Sequence, residues 1–323
     1  NLGCVPKKLF VYGASYAKHF EDAIGYGWGV DEPSYDLKTL LNNKNNEIER
    51  LSSNSKRRMA EAGVKIYDGH AKFIAPHTIQ INDEQVTADK ILVSVGTTPR
   101  RIDIPGKEHF ITSDEAFYLD ELPETIVIVG GGYIAMEFAH IFKNLGCNVI
   151  VMNRSETLLR GFDHDLQEML IESTENMGIQ LDLGNLPTKI EQKSDKKLVI
   201  ETQNGTNYTC DQIMAAIGRV PKVMDLGLEN AGVDQNPDGS IKVDARQQTS
   251  VPHIFAVGDV SNDAPLTPVA IREGHALADR LFGGKDVPEL DYSYVASAVF
   301  TQPPIGTVGI TEQQAAAQNI DYT

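Results

Sequence analysis

Cys4 stands in the run Asn1-Leu2-Gly3-Cys4-Val5-Pro6-Lys7-Lys8, where a reactive side chain and its neighbours first suggest chemistry. Proline two residues past the cysteine, then two lysines and an apolar run to Ala14, predicts a helix starting near Cys4 or Val5. A thiol at a helix N-terminus beside Lys7 and Lys8 has its thiolate favoured by both dipole and charge. The alternative is a small buried side chain. Cys147 and Cys210 lie in apolar strand contexts, where packing is the expected role.

A second constellation is glycine-rich. Thr125 to Val129 is a short β-branched run with the profile of a buried parallel strand. It enters Gly130-Gly131-Gly132-Tyr133-Ile134-Ala135, then a helical run from Met136 to Phe142 with Gly146 as its stop, then a second apolar strand, Asn148 to Met152. Strand, Gly-x-Gly-x-x-Ala, helix and strand form a dinucleotide-binding unit in its required context; the alternative is a tight turn that binds nothing. An NAD site carries Asp or Glu at the end of the second strand, but here stand Asn153-Arg154-Ser155, with Arg160 following. Two guanidiniums pair with a 2′-phosphate that a carboxylate would repel, so the cofactor expected is NADPH; the alternative is two solvated surface arginines. A third candidate is Asp259, which ends the apolar strand Phe255-Ala256-Val257-Gly258 at the place where α/β sheets bind ligands; the alternative is a surface turn. No metal is called for.

These residues need two scaffolds to position them. The run Ala88 to Pro99 recurs as Cys210 to Pro221: Asp, Ile, Gly and Pro repeat at a constant offset of 122, and each copy follows a hairpin-like stretch, at Asn82-Asp83 and Asn204-Gly205. Two closing strands imply two nucleotide-binding domains. Only one Gly-rich opening loop is present, so the other is expected before Asn1 and the chain reads as a piece of a longer protein. The division expected is 1–118 for the first domain, 119–220 for the second, 221–290 for a return to the first, and 291–323 for the start of a third. Asp36 to Ala62 has helical spacing, Thr98 to Pro123 looks like a crossing linker, and Asp163 is placed to cap a helix over 163–177. The fold class is α/β with two Rossmann-like domains, followed by the start of an α+β domain.

At 323 residues, with 41% hydrophobic and 23% charged residues, the chain is globular and large enough for two or three domains. A net charge of −16 argues against nucleic acid or an anionic membrane as partner, and three cysteines point to a reducing, cytoplasmic compartment.

The motifs together resemble the flavin-dependent pyridine-nucleotide disulfide reductases over essentially the whole chain. Gly3-Cys4-Val5-Pro6-Lys7-Lys8 resembles the second half of their redox-disulfide motif, with the partner cysteine expected upstream. Val257-Gly258-Asp259 and Leu266-Thr267-Pro268-Val269-Ala270 are similar to flavin-contacting segments. Ala298-Val299-Phe300 with Pro303-Pro304-Ile305-Gly306-Thr307 is similar to the opening of the dimer-interface domain.

The resemblance implies FAD and NADPH as cofactors, a homodimer, and reduction of glutathione disulfide. Cys4 would face the flavin, and Lys7, paired with Glu137, would lie near its N5. Gly69, His70 and Ala71 would approach the adenine end of FAD, Asp259 the ribitol and Thr267 the isoalloxazine edge. Gly96 would be a further cofactor contact. Gly130, Gly131, Gly132, Ile134, Ala135, Arg154, Arg160 and Gly218 would contact NADPH, with Tyr133 moving aside for the nicotinamide. A C-terminal His from the other subunit would supply the proton. Ser55 and His275 depart from the tyrosine and arginine expected near the substrate, and trypanothione disulfide is the rival substrate. Another class entirely would be a flavoprotein without disulfide chemistry on the same scaffold.

Overall fold

The computed structural model describes residues 2–31, 33–261 and 264–322. The chain forms two compact units, one of Asn1–Met59, Pro99–Gly218 and Ala298–Thr323, the other of Ala60–Thr98 and Arg219–Ser297.

The first unit is built on a five-stranded parallel sheet in the order Phe110–Ile111, Gln212–Ala215, Thr125–Val129, Asn148–Asn153, Gln180–Leu183. Its central strand is buried on both faces, with Ile126, Val127, Ile128 and Val129 at 0% exposure, as its unbroken β-branched run requires. Helices α1 (Cys4–Gly25), α2 (Leu37–Glu61), α3 (Ser113–Ala116), α4 (Tyr133–Asn144) and α5 (His164–Asn176) belong to this unit. The carboxylate of Asp163 caps α5 by accepting from Asp165 N, as its place in the sequence predicts.

Crossing from Thr125–Val129 to Asn148–Asn153, α4 buries Met136, Phe138, Ala139, Ile141 and Phe142. Phe10, Val11 and Ala14 of α1 join the same core, and Phe117 links the two helices, edge-on to Phe10 at 5.8 Å and tilted on Phe138 at 5.3 Å. The polar helix α2 inserts one fully buried cation here. Lys44 Nζ donates to Phe117 O at 2.7 Å and lies 4.0 Å from the Tyr118 ring centroid.

The expected linker between Thr98 and Pro123 contains structure. Phe110–Ile111 forms the edge strand of the parallel sheet, and Thr112 starts α3 with a capping box closed by Glu115. Two paired residues between prolines carry too little periodicity to announce a strand.

In the second unit, Ala71–Ala75, Thr78–Ile81 and Glu84–Thr87 form an antiparallel meander, and Ile91–Val93 pairs in parallel with Ile254–Ala256. Asn82, at φ 50°, makes the hairpin turn expected there. The short helix α6 (Leu228–Ala231) and the longer α7 (Thr267–Leu281) complete it. Among the described residues no helix is long and apolar enough to cross a membrane.

Candidate functional site

Cys4 is the first residue of α1 and is exposed. The N–H groups of a helix's first turn lack intrahelical acceptors, so the sulfur sits at the positive end of the helix dipole. One turn on, Lys7 turns inward. Its Nζ donates to Glu137 Oε1 at 2.8 Å, with Lys7 9% and Glu137 1% exposed. The same oxygen accepts Phe300 N at 2.9 Å. The Phe300 ring faces two ammonium groups, with its centroid 4.1 Å from Lys7 Nζ and 3.7 Å from Lys8 Nζ. Burial, and then the neighbouring Lys7, hold the Lys8 ammonium below the usual lysine range. The structure therefore joins Lys7 to Glu137, the pairing the resemblance implied.

The glycine loop is shaped for close approach. Gly130 has φ 135°, and a Cβ there would collide with the Ala216 carbonyl. Gly131 is pressed against the Asn153 side chain, whereas Gly132 has no atom within 4 Å of its Cβ position. Gly132 caps α4 without any side chain, so the start of the helix is open where a Gly132 Cβ would stand; Ala135 behind it is buried. Leu159 N donates to Gly131 O at 2.7 Å, which ties the loop carrying Arg154 and Arg160 to the glycine turn. Asn153 shapes that loop by donating to Thr157 O at 2.8 Å and Ser155 O at 3.1 Å. Both arginines are exposed, and neither guanidinium has a hydrogen bond or ion pair among the described residues. An open N-terminal cradle beside two uncommitted cations fits a dinucleotide with an extra phosphate. Gly218, at φ 108°, also has no atom near its Cβ position.

The second unit carries the other candidates. Asp259 lies in the 3₁₀ turn Gly258–Val260, and Thr97 Oγ1 lies 3.5 Å from Asp259 Oδ2. Arg219 Nε donates to Thr97 Oγ1 at 2.7 Å and Arg219 Nη2 to Thr97 O at 2.8 Å. These two residues are equivalent positions of the internal repeat, so the copies touch through matching places. Gly96, at φ 69°, leaves open space where a Cβ would be, and Thr267 opens α7. Gly69 lies against the side chain of Asn82, and His70 is exposed before the strand that begins at Ala71. Backbone openings at glycine, a half-buried carboxylate and a helix N-terminus fit parts of a flavin nucleotide. Ser55 on α2 and His275 on α7 are both exposed.

Burial pushes the Cys147 thiol up to about 11 and the Cys210 thiol up to about 12, in keeping with their expected packing role. Sequence reasoning passed over His140. It is 1% exposed; its Nδ1 accepts Gln302 N at 3.0 Å and its Nε2 lies 3.2 Å from Thr174 Oγ1. Asn144 Nδ2 donates to Gln302 Oε1 at 2.7 Å. Glu137, His140 and Asn144 thus form one stripe of α4 that holds the 300–302 segment. Polar residues at helical spacing within an apolar helix were the available signal.

Fold and site define a dinucleotide-binding redox protein with a cysteine at a helix N-terminus. Residues 1–274 match the pyridine nucleotide-disulphide oxidoreductase family, and the chain belongs to it. The family uses FAD and NADPH. Over 98% of its length the chain is 46% identical to the chloroplastic/mitochondrial glutathione reductase of Pisum sativum, of which it spans 57%. It is 40% identical to the trypanothione reductase of Leishmania donovani, covering 98% of this chain and 67% of that protein. The HOCl-induced flavoprotein disulfide reductase RclA from Escherichia coli superposes with a TM-score of 0.89 at 26% identity, across 99% of this chain and 71% of that one.

Proposed function

We propose that this chain supplies the greater part of an NADPH-dependent glutathione-disulfide reductase. The observation that carries the reading is Cys4 at the head of α1, backed by the buried Lys7–Glu137 pair. When bound, FAD supplies a two-electron carrier between a reduced nicotinamide and sulfur. The chain's own residues do the rest. The cradle at Gly130–Ala135 holds the NADPH pyrophosphate, Arg154 and Arg160 select the 2′-phosphate, and Tyr133 covers the nicotinamide position until it is filled. Gly69, His70, Ala71, Gly96, Asp259 and Thr267 hold the flavin nucleotide, and Lys7, held in place by Glu137, faces the flavin ring. Cys4 is the sulfur beside the flavin. The family resemblance implies a partner cysteine upstream of Asn1, and Cys147 and Cys210 are buried with thiols that resist ionisation. The overall reaction consumes NADPH, one proton and a disulfide, and releases NADP⁺ and two thiols.

In functional terms the division is 1–118 and 221–290 for the flavin, 119–220 for NADPH, and 291–323 for the start of a homodimer interface. Three cysteines among 323 residues suit a reducing, cytoplasmic setting. Trypanothione disulfide is the second reading, favoured by the 40% identity to a trypanothione reductase. The deciding experiment follows NADPH oxidation by the full-length protein with oxidised glutathione and with trypanothione disulfide. Glutathione should be the better substrate by kcat/KM; turnover with neither refutes disulfide reduction.

A further inference from the structure

Glu273 is a buried carboxylate that no motif of the chain accounts for. It is 1% exposed on α7, and each of its oxygens has a partner in the second unit. Oε2 accepts Gly258 N at 2.6 Å and Oε1 accepts Tyr292 OH at 2.7 Å. Gly258 has φ 73°, so its N–H is aimed by a turn that few other residues adopt, and Ala270, one helical turn before Glu273, lies 3.1 Å from where a Gly258 Cβ would be. The turn that leads into Asp259 and the body of α7 are therefore clamped together at one carboxylate, through Gly258 N. A buried charge is costly unless fully bonded, and an apolar side chain would fill this position more cheaply. What the carboxylate supplies is a fixed geometry.

We infer that Glu273 is a positioning residue for the flavin: it braces the Gly258–Asp259 turn against α7, so that Asp259 and Thr267, the two proposed flavin contacts, keep one separation. Tyr292 completes the brace. Its hydroxyl orients the carboxylate, and Gln247 Nε2 approaches the same hydroxyl at 3.4 Å. Gln247 in turn receives Arg280 Nη1 at 3.0 Å, so the brace is anchored again on the last turn of α7. Asp259 itself is steadied from its other side by the Arg219–Thr97 pair.

This inference rests on the flavoprotein reading, and the test separates the two. Full-length protein and the variants Glu273→Met, Glu273→Gln and Tyr292→Phe are stripped of flavin, and FAD binding is titrated by flavin fluorescence. Glutamine can still accept Gly258 N–H and bond the Tyr292 hydroxyl, whereas methionine fills the space with neither bond. Expected are an FAD dissociation constant raised at least tenfold in Glu273→Met, within about threefold of wild type in Glu273→Gln, and intermediate in Tyr292→Phe. The KM for NADPH of the FAD-saturated variants should not change. Equal FAD affinity in Glu273→Met and wild type overturns the inference while leaving the flavoprotein reading intact. Equal losses in the methionine and glutamine variants also overturn it, since bonding geometry would then not matter. A wild-type protein that takes up no FAD overturns both.

Discussion

Lys7 and Glu137 lie 130 positions apart in sequence, yet share a 2.8 Å ion pair between the N-terminal halves of α1 and α4. The pair fixes the cysteine-bearing helix to the helix that follows the Gly130–Gly132 turn. Two charges removed from water need each other, and stranding one is costly.

Replacing Lys7 by Met should therefore lower unfolding stability by about 3–5 kcal/mol, with Glu137 left charged against Phe300 N alone. The double variant Lys7→Met/Glu137→Gln should recover part of that loss. Urea denaturation of both proteins measures the difference, and equal stabilities would show that the pair is not coupled.

The glycines of the cradle should separate folding from binding. Gly130→Ala forces a side chain into φ 135° and into the Ala216 carbonyl, so it should cost several kcal/mol or prevent folding. Gly132→Ala meets open space at φ −85° and should fold with nearly unchanged stability. Its methyl group would occupy the cradle, so NADPH affinity should fall. Thermal melts and NADPH titration of the two variants distinguish the effects.

Arg154 and Arg160 should decide between the two nicotinamide cofactors. A charge-assisted bond lost at each costs about 1.5–3 kcal/mol, or roughly 10- to 150-fold. Arg154→Ala should raise the KM for NADPH by a factor in that range and leave the KM for NADH nearly unchanged. Steady-state kinetics with both cofactors on the full-length enzyme would show it.

His140 should make the fold acid-sensitive. Burial lowers its pKa from 6.5 to about 4, and its Nδ1 is occupied in accepting Gln302 N–H. The unfolded chain thus binds a proton below pH 6.5 that the folded chain refuses until about pH 4. Stability from this group is full above pH 6.5, falls through the interval, and is lower by about 3 kcal/mol at its acid end. A His140→Gln variant should lose that share of the slope in unfolding measured from pH 7 to pH 4.

Alkylation should find one cysteine. At pH 8, iodoacetamide should label exposed Cys4 and spare Cys147 and Cys210, whose thiols are pushed up to about 11 and about 12. Peptide mass mapping before and after denaturation tests this, and early labelling of Cys147 would contradict its burial.

Much of this was legible in the sequence because local chemistry announced it. The strand before Gly130, the helix starting at Cys4 and the arginines after Asn153 each need only a few neighbouring residues to be read. The Phe110–Ile111 edge strand was not, because two residues gain strand character only from their partners Ile213 and Met214. His140 and Glu273 were missed for a related reason. Their partners, Gln302 and Gly258, lie 162 and 15 positions away, and no periodicity encodes such a meeting.

The touching repeat positions have a consequence for how such a protein can be assembled. Arg219 reaches Thr97 on one side of the 99–218 segment's ends, and Arg100 N donates to Gly218 O at 2.9 Å on the other. The two ends of that stretch lie side by side, bonded to each other from Arg100 N to Gly218 O. Closing the chain across so short a gap would cost little entropy. Yet removing the stretch would strip Phe10, Val11 and Ala14 of the core they share with α4 and leave Lys7 without Glu137, so residues 1–59 and 99–218 have to be inherited together.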